Sequence, residues 1–339
     1  MKPKLYCGID LHSNNHYVSI IDQDDKRLKE KRLSNDLSKT LSLLEPYQND
    51  LQGIAIESTF NWYWLVDGLM EAGFPVSLVN TSAVKQYEGL KHTDDKYDVF
   101  WLAHLMRLGI LPTGYIYPKA QRGLWDLLRK RMQLVQCRTS HVISAQAQVW
   151  HSTGKRLKSQ DIKKCPDDLL SNIADSNLFL SIQSNLNVIQ LINQQIETIE
   201  ETILPQCKKL PGHKQLKTVF GIGDILSQTI TLETGDIHRF FKVGNYTSYC
   251  RCVDSKKTSN GKKKGAGNKK SGNKYLAWAF MEAANFAIRF YDPANQFYQR
   301  KLSKRNVIVA RKALAHKLAR ASYYVMRDNI PFKSEQLFR

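Results

Sequence analysis

The first 115 residues alternate short apolar runs with segments of helical spacing. Residues 6–9 and 17–21 are apolar runs separated by Asn14 and Asn15, which predicts a β-hairpin. Further strands are predicted at 51–56 and 75–79, and helices at 38–47, 60–72 and 95–108. Strands that alternate with helices predict an α/β domain with a mixed sheet, ending near residue 115.

The middle of the chain predicts two long helices. Residues 122–150 carry an apolar side chain every three or four positions, and residues 178–203 carry a stricter heptad seam with Asn185 as its one polar member. A polar, Gly- and Pro-containing segment at 152–168 connects them. The pattern predicts an antiparallel coiled-coil arm, with a plain helical bundle as the alternative. The seam pairs either within one chain or between chains.

The last third predicts a mostly α-helical domain. Pro205 and Pro211 mark its start, and Asp292-Pro293 separates predicted helices at 274–290 and 307–326. Gly221 and Gly223 precede a predicted helix at 225–232, either as a phosphate-contacting turn or as an ordinary connector. The predicted domains are therefore 1–115, 116–205 and 206–339.

Charge is distributed unevenly over these segments. The chain has a net charge of +19, from 50 Lys and Arg against 31 Asp and Glu. Residues 1–115 have a net charge of −3, residues 116–205 of +3, and residues 206–339 of +19. This division predicts that the C-terminal part binds a polyanion and that the N-terminal part carries the acidic chemistry.

Several protein classes do not fit this composition. The six cysteines form no CxxC pair or zinc-ligand spacing, which favours reduced thiols in a cytoplasmic protein. The longest apolar runs fall short of 18 residues, so we expect no membrane span. The first residues lead directly into the first predicted strand, so we expect no secretory leader.

Four carboxylates fall where the predicted elements would bring them together. Asp10 and Glu57 end two apolar runs, and Asp95 and Asp98 are three residues apart at the start of a predicted helix, hence on one face of it. Converging carboxylates repel one another unless a cation lies between them. An all-oxygen ligand set favours Mg²⁺ or Mn²⁺ over zinc.

The order Asp10, Glu57, Asp95-x-x-Asp98 resembles the DEDD transposases of bacterial insertion sequences and their relatives, the Piv-type DNA invertases. The resemblance implies an α/β ribonuclease H-like (RuvC-like) domain at 1–115, with these four residues as catalytic metal ligands. Asp94 leaves the third position ambiguous.

A second motif lies in a Lys- and Gly-rich stretch at 255–274, which composition predicts to be a mobile basic loop. Its run from Ser259 to Gly265, followed by Lys270-Ser-Gly-Asn273, resembles the serine loop of the same family. The resemblance implies Ser259 as the nucleophile, with Ser255 and Thr258 as alternates. The expected nucleic-acid-binding residues are Lys256, Lys257, Lys262, Lys263, Lys264, Lys269, Lys270, Lys274, Arg311 and Lys312.

The resemblance implies a recombinase that cuts and rejoins DNA through a transient phosphoserine link. It also implies a guide RNA encoded by the element, a homo-oligomer (dimer or tetramer), and action on the nucleoid of a bacterium. A Piv-like invertase would act without the guide RNA.

Three other functions remain open at this point. A junction-resolvase-like nuclease would need the four carboxylates but would use water as the nucleophile. Gly8-Ile9-Asp10 also opens actin-like kinases, although Leu11-His12-Ser13 does not continue their pattern. A non-catalytic nucleic-acid-binding protein would use the carboxylates only as caps.

Overall fold

The computed structural model describes residues 3–57, 60–81, 83–84, 94–164, 173–253, 257–265, 271–333 and 337. The chain divides into two compact units, Met1–Lys119 and Ala120–Arg339. The predicted arm and the predicted basic domain both fall in the second unit, and the three-domain division stays a prediction.

The described residues of the first unit form a five-stranded sheet. Its strands are β1 (Leu5–Leu11), β2 (Asn15–Ile21), β3 (Arg27–Ser34), β4 (Leu51–Glu57) and β5 (Val76–Val79). They lie in the order β3-β2-β1-β4-β5. β2 is antiparallel to both β1 and β3, whereas β1, β4 and β5 are parallel. The mixed sheet confirms the predicted α/β class and is compatible with a ribonuclease H-like domain.

Helices cover both faces of this sheet. They are α1 (Leu37–Leu44), α2 (Tyr63–Glu71) and α3 (Asp95–Arg107). Ile9, Ile54 and Ile56 pack with side chains of α1 and α2, whereas Ala55 packs with Leu102 of α3. Successive residues of a strand point to opposite faces. Positions 8, 10, 55 and 57 therefore share the face that α3 covers.

Strand β3 was not predicted, because it lacks an apolar pattern. Of its eight residues, Leu33 alone is buried. It is an edge strand held by its backbone ladder to β2, and its charged side chains face solvent.

Two long helices dominate the start of the second unit. α4 (Lys119–Thr153) and α6 (Ser176–Cys207) flank the short α5 (Ser159–Lys164). Most apolar members of the predicted seam are buried, from Ile182 to Ile203. Side-chain bonds join the helices in opposite chain order, which makes them antiparallel within one chain: Arg131 to Glu200, Arg138 to Asn193 and His141 to Asn185.

Pro205 does not end the second long helix, contrary to the prediction. α6 continues through it to Cys207. Ile203 and Cys207 pack against Leu128 and Leu232, which holds the final turn in place. The missing proline N–H costs a backbone bond only close to the helix end.

The remaining helices share one hydrophobic core, and two short strands form a separate sheet. The helices are α7 (His213–Leu216), α8 (Asp224–Thr234), α9 (Val243–Tyr249), α10 (Lys274–Phe290), α11 (Asp292–Leu302) and α12 (Val307–Asp328), and the strands are β6 (Lys257–Ser259) and β7 (Lys262–Gly265). Gly221 has φ +84°, and a Cβ there would lie 2.2 Å from the Ala283 carbonyl oxygen, so this glycine permits close packing against α10. Every described helix of the chain falls short of the length or apolar character that a membrane span requires.

Candidate active site

Two neighbouring parallel strands bring the first two carboxylates together. Ile9 of β1 lies opposite Ile56 of β4 in the strand register. The next residues, Asp10 and Glu57, therefore lie side by side at the carboxyl ends of these strands, on the face toward α3. Asp10 is only 4% exposed, and Glu57 shares a hydrogen bond with it.

A glycine allows α3 to come close to this edge of the sheet. A Cβ on Gly8 would lie 1.9 Å from the carbonyl oxygen of Val99. The helix backbone therefore lies directly on β1. This packing places the first turn of α3, with Asp95 and Asp98, beside the strand ends.

The structure distinguishes Asp95 from its neighbour Asp94. Asp94 is the N-cap of α3, and its side chain accepts a hydrogen bond from the Tyr97 backbone N–H at 2.8 Å. Asp95 instead has an oxygen 3.4 Å from His12 Nε2. Asp95 is therefore the residue of this pair that faces Asp10 and His12.

His12 was missed as a site residue by the sequence reasoning. Its Nε2 lies 3.2 Å from Asp10 Oδ2 and 3.4 Å from Asp95 Oδ2, so the ring lies between the two carboxylates. The one available signal was its position two residues after a strand-end aspartate. A single histidine at a strand end is too common a feature to identify a site.

The carboxylates perturb one another. Burial, followed by the hydrogen bond to Asp10 and the charges of Asp10 and Asp98, raises the pKa of Glu57 to about 7. All of these effects disfavour a second negative charge next to Asp10. Glu57 and Asp98 also line a cavity of about 260 Å³ with Thr81 and Trp101.

These side chains fit a divalent cation. Asp10, His12 and Asp95 each offer a ligand atom, and these atoms lie within 4.8 Å of one another. Carboxylate oxygens suit Mg²⁺ and Mn²⁺, and an imidazole nitrogen favours Mn²⁺ of the two. A cation here would offset the repulsion that raises the pKa of Glu57.

Ser259 lies in the second unit, whereas the four carboxylates lie in the first. It ends β6, opposite Lys262 in an antiparallel hairpin with β7. Asn260 (φ +50°) and Gly261 (φ +72°) form the two-residue connection. Positive φ at both positions is typical of the Asn-Gly turn that suits a hairpin.

This hairpin corrects, at residues 257–265, the prediction of a mobile loop over 255–274. Its strands are held by backbone pairing and need no buried core, and the sequence signal for it is the Asn-Gly pair at 260–261. Ser259, Thr258, Lys262 and Lys264 are exposed. Ser255, Lys256, Lys269 and Lys270 lie outside the described residues. Lys257 and Lys263 belong to the two strands.

The other expected nucleic-acid-binding residues lie on helices. Lys274 and Arg311 are exposed on α10 and α12, and Lys312 is half-buried. Nothing in their geometry tests the expected contacts, which stay predictions.

The mixed sheet is compatible with a ribonuclease H-like domain, and sequence comparison identifies a DNA-transposing enzyme. Residues 7–151 match the family of DEDD transposases of the IS110 group, and residues 213–299 match the family described as "Transposase IS116/IS110/IS902 family". The chain belongs to the IS110 family of insertion-sequence transposases. No curated protein matches the chain.

Proposed function

We propose that the chain cuts and rejoins DNA strands at an insertion sequence, with Asp10, Glu57, Asp95 and Asp98 holding Mg²⁺ or Mn²⁺. One observation carries the proposal: the two strand ends and the first turn of α3 meet within the segment that matches the DEDD transposase family. His12 would add a nitrogen ligand. A bound divalent cation stabilises the charge that develops on phosphodiester oxygens.

In this proposal Ser259 is the nucleophile. Its Oγ forms a bond to phosphorus while the bond from phosphorus to one deoxyribose oxygen breaks, and the serine proton passes to the departing oxygen through solvent. Attack by a deoxyribose hydroxyl on the phosphoserine reverses the step and joins the new strand. A neutral hydroxyl is a weak nucleophile, so the step needs the carboxylate site nearby. The exposed hairpin position suits a residue that must reach another part of the assembly.

The partners are proposed on the same basis. The family supports DNA as a partner. A guide RNA encoded by the element, a dimer or tetramer with sites shared between protomers, a coiled-coil role for α4 and α6, and a bacterial cytoplasmic location belong to the proposal. The exposed Lys262, Lys264, Lys274 and Arg311 would bind nucleic-acid backbone.

Cleavage of a labelled element end by carboxylate variants tests the metal site. Mutating a residue that only supports a metal ligand typically lowers metal affinity or activity about 10–100-fold. We expect the cleavage rate to fall by more than this in Asp10→Asn, Glu57→Gln and Asp98→Asn. Asp24→Asn, at an exposed turn position of the same unit, is the matched control. Activity within tenfold of wild type in any two of the three site variants would overturn the metal-site assignment.

A further inference from the structure

A second cavity lies within the second unit, between α4 and α10. Its volume is about 590 Å³, within the range of about 300–1,000 Å³ usual for small-ligand pockets. Most of its polar and aromatic lining comes from six side chains: Arg129, Lys130, Gln133, Lys274, Tyr275 and Trp278. The carboxylate site does not involve any of them.

One wall of this cavity is fixed by an ion pair whose carboxylate is buried and whose guanidinium group is half-buried. Arg129 donates to both carboxylate oxygens of Glu233, from Nε at 2.8 Å and from Nη2 at 2.9 Å. The Glu233 side chain is only 1% exposed, and it accepts a further hydrogen bond from Asn273 Nδ2 at 2.6 Å. Two-point pairing of this kind fixes the plane of the guanidinium group.

The fixed guanidinium in turn orients the aromatic wall. The Arg129 Cζ lies 3.6 Å from the ring centroid of Trp125 and 4.4 Å from that of Tyr275. Burial disfavours the charged form, yet the hydrogen bonds and the charge of Glu233 raise the pKa of Arg129. The Tyr275 ring is therefore held against a permanent cation.

The open side of the cavity offers a different combination of groups. Trp278 is 36% exposed, although it is a large aromatic residue in the middle of a helix. Lys274 is exposed one turn before Trp278 on α10. On α4, Lys130 Nζ donates to Gln133 Oε1, three residues further along the same helix, at 3.2 Å. Asp126 adds one carboxylate. An aromatic face beside lysines and amides suits a ligand that is planar and anionic.

The cavity also lies next to the base of residues 252–272, the serine segment, which carries Ser259. The two ends of that segment are joined where Arg251 Nε donates to the Gly272 carbonyl oxygen at 3.1 Å and the Asn273 N–H donates to the Tyr249 carbonyl oxygen at 2.6 Å. Asn273 is the same residue that bonds Glu233 behind the cavity wall. A strand bound in the cavity would therefore run close to the base of the serine segment.

We propose that this cavity binds one unstacked nucleotide of a single nucleic-acid strand. Its base stacks on Trp278, and Lys130 and Lys274 bind the flanking phosphates. Gln133 and Asp126 supply hydrogen-bonding groups for the base edge. The inference rests on the proposed function, because an enzyme that exchanges strands must hold unpaired nucleotides.

Binding of a ten-residue thymidine oligonucleotide, dT10, to the full-length protein in EDTA tests this inference. Stacking on one aromatic side chain contributes about 1–3 kcal/mol per base, so we expect Trp278→Ala to weaken binding about 5- to 150-fold. Wild-type tryptophan fluorescence should be quenched by dT10, and most of the quenching should disappear in the variant. Trp150→Ala removes another exposed tryptophan of the same unit and should leave both readings unchanged.

Two further arms strengthen the test. Lys274→Ala should weaken dT10 binding and lower its salt dependence, whereas Lys301→Ala on α11 should change neither. A ten-base-pair duplex should bind without the Trp278-dependent quenching. Comparing dU10 with U10 distinguishes a DNA strand from an RNA strand as the natural source. Trp278→Ala protein that binds dT10 within twofold of wild type and keeps the quenching would overturn the inference.

These measurements need no metal and no cleavage. If Trp278→Ala does not weaken dT10 binding but the protein still forms the serine–DNA linkage, the nucleotide site is refuted and the proposed reaction stands. If dT10 binding depends on Trp278 but the protein does not cut DNA, the proposed reaction is refuted and the nucleotide site stands.

Discussion

Glu57 is a site residue whose charge depends on its surroundings. Its pKa of about 7 results from burial and from the neighbouring Asp10 and Asp98. A metal ion that needs the carboxylate form must displace this proton. Metal binding should therefore weaken as the pH falls below about 7.

The pH dependence of stability tests this arrangement. Between the ordinary glutamate pKa of 4.5, which applies to the unfolded chain, and the folded-state pKa of about 7, the folded protein holds a proton that the unfolded chain has lost. In the absence of metal, the contribution of the protonated Glu57 to the free energy of unfolding is thus fully present below pH 4.5 and is lost as the pH rises through 7. In EDTA, the midpoint of thermal unfolding should fall less for Glu57→Gln than for wild type between about pH 5 and pH 8. Parallel curves for the two proteins would contradict the pKa shift.

Gly8 is a second position at which one residue controls the site. An alanine Cβ would collide with the Val99 carbonyl oxygen, and backbone cannot move aside as a flexible side chain does. We expect Gly8→Ala to lower the free energy of unfolding by about 1–3 kcal/mol or to displace α3, with loss of metal binding. Denaturant titration and Mn²⁺ calorimetry would measure both effects.

Gly114→Ala is the control for that substitution. Its Cβ would make ordinary contacts, the nearest at 3.5 Å from the Leu78 carbonyl oxygen of the same unit. A Gly8→Ala protein as stable and as metal-competent as Gly114→Ala would show that α3 does not depend on this close approach.

The hairpin β6–β7 is the element that presents Ser259. Gly261→Ala places a side chain at φ +72°, where a non-glycine residue costs about 1–2 kcal/mol. Asn260→Gly leaves the turn geometry accessible, because glycine adopts φ +50° readily. In Gly261→Ala, the hairpin amides should be less protected from hydrogen exchange and the yield of serine–DNA linkage should fall. In Asn260→Gly, both should remain at the wild-type level. Equal yields in the two would mean that the turn does not position the serine.

Elements with strong apolar periodicity could be predicted from the sequence, and elements without it could not. The β1–β2 hairpin and the buried seam of α6 carry their pattern in their own residues, and both were confirmed. β3 is exposed and charged, so its pairing depends on β2 rather than on burial. Pro205 within α6 shows tertiary packing overriding a local helix-stopping signal.

The candidate site was predictable to the same extent. Asp10 and Glu57 end apolar runs, and the spacing of Asp95 and Asp98 is visible in the sequence. The role of Asp94 as a cap and the position of His12 between two carboxylates depend on how α3 packs on β1. That packing is set by a glycine whose significance appears only in three dimensions.

The whole chain separates its charges, and this predicts how DNA binding responds to salt. The net charge of +19 is carried by residues 206–339, beyond the acidic first unit. Each lysine that neutralises a phosphate contributes about −0.9 to the slope of log K against log salt. Lys262→Ala and Lys264→Ala should each make that slope less negative by about 1, irrespective of DNA sequence. An unchanged slope in both would place the backbone contacts elsewhere.

We propose that Ser259 and the carboxylate site that contains Asp10 act on the same phosphodiester. The most direct test incubates the protein with Mg²⁺, the RNA encoded in the flank of the element and a labelled DNA of the element's end, and runs the products on a denaturing gel. We predict a covalent protein–DNA species that is absent from both Ser259→Ala and Asp10→Asn. Cleaved DNA without any covalent species, undiminished in Ser259→Ala, would contradict the account and favour a nuclease that uses water.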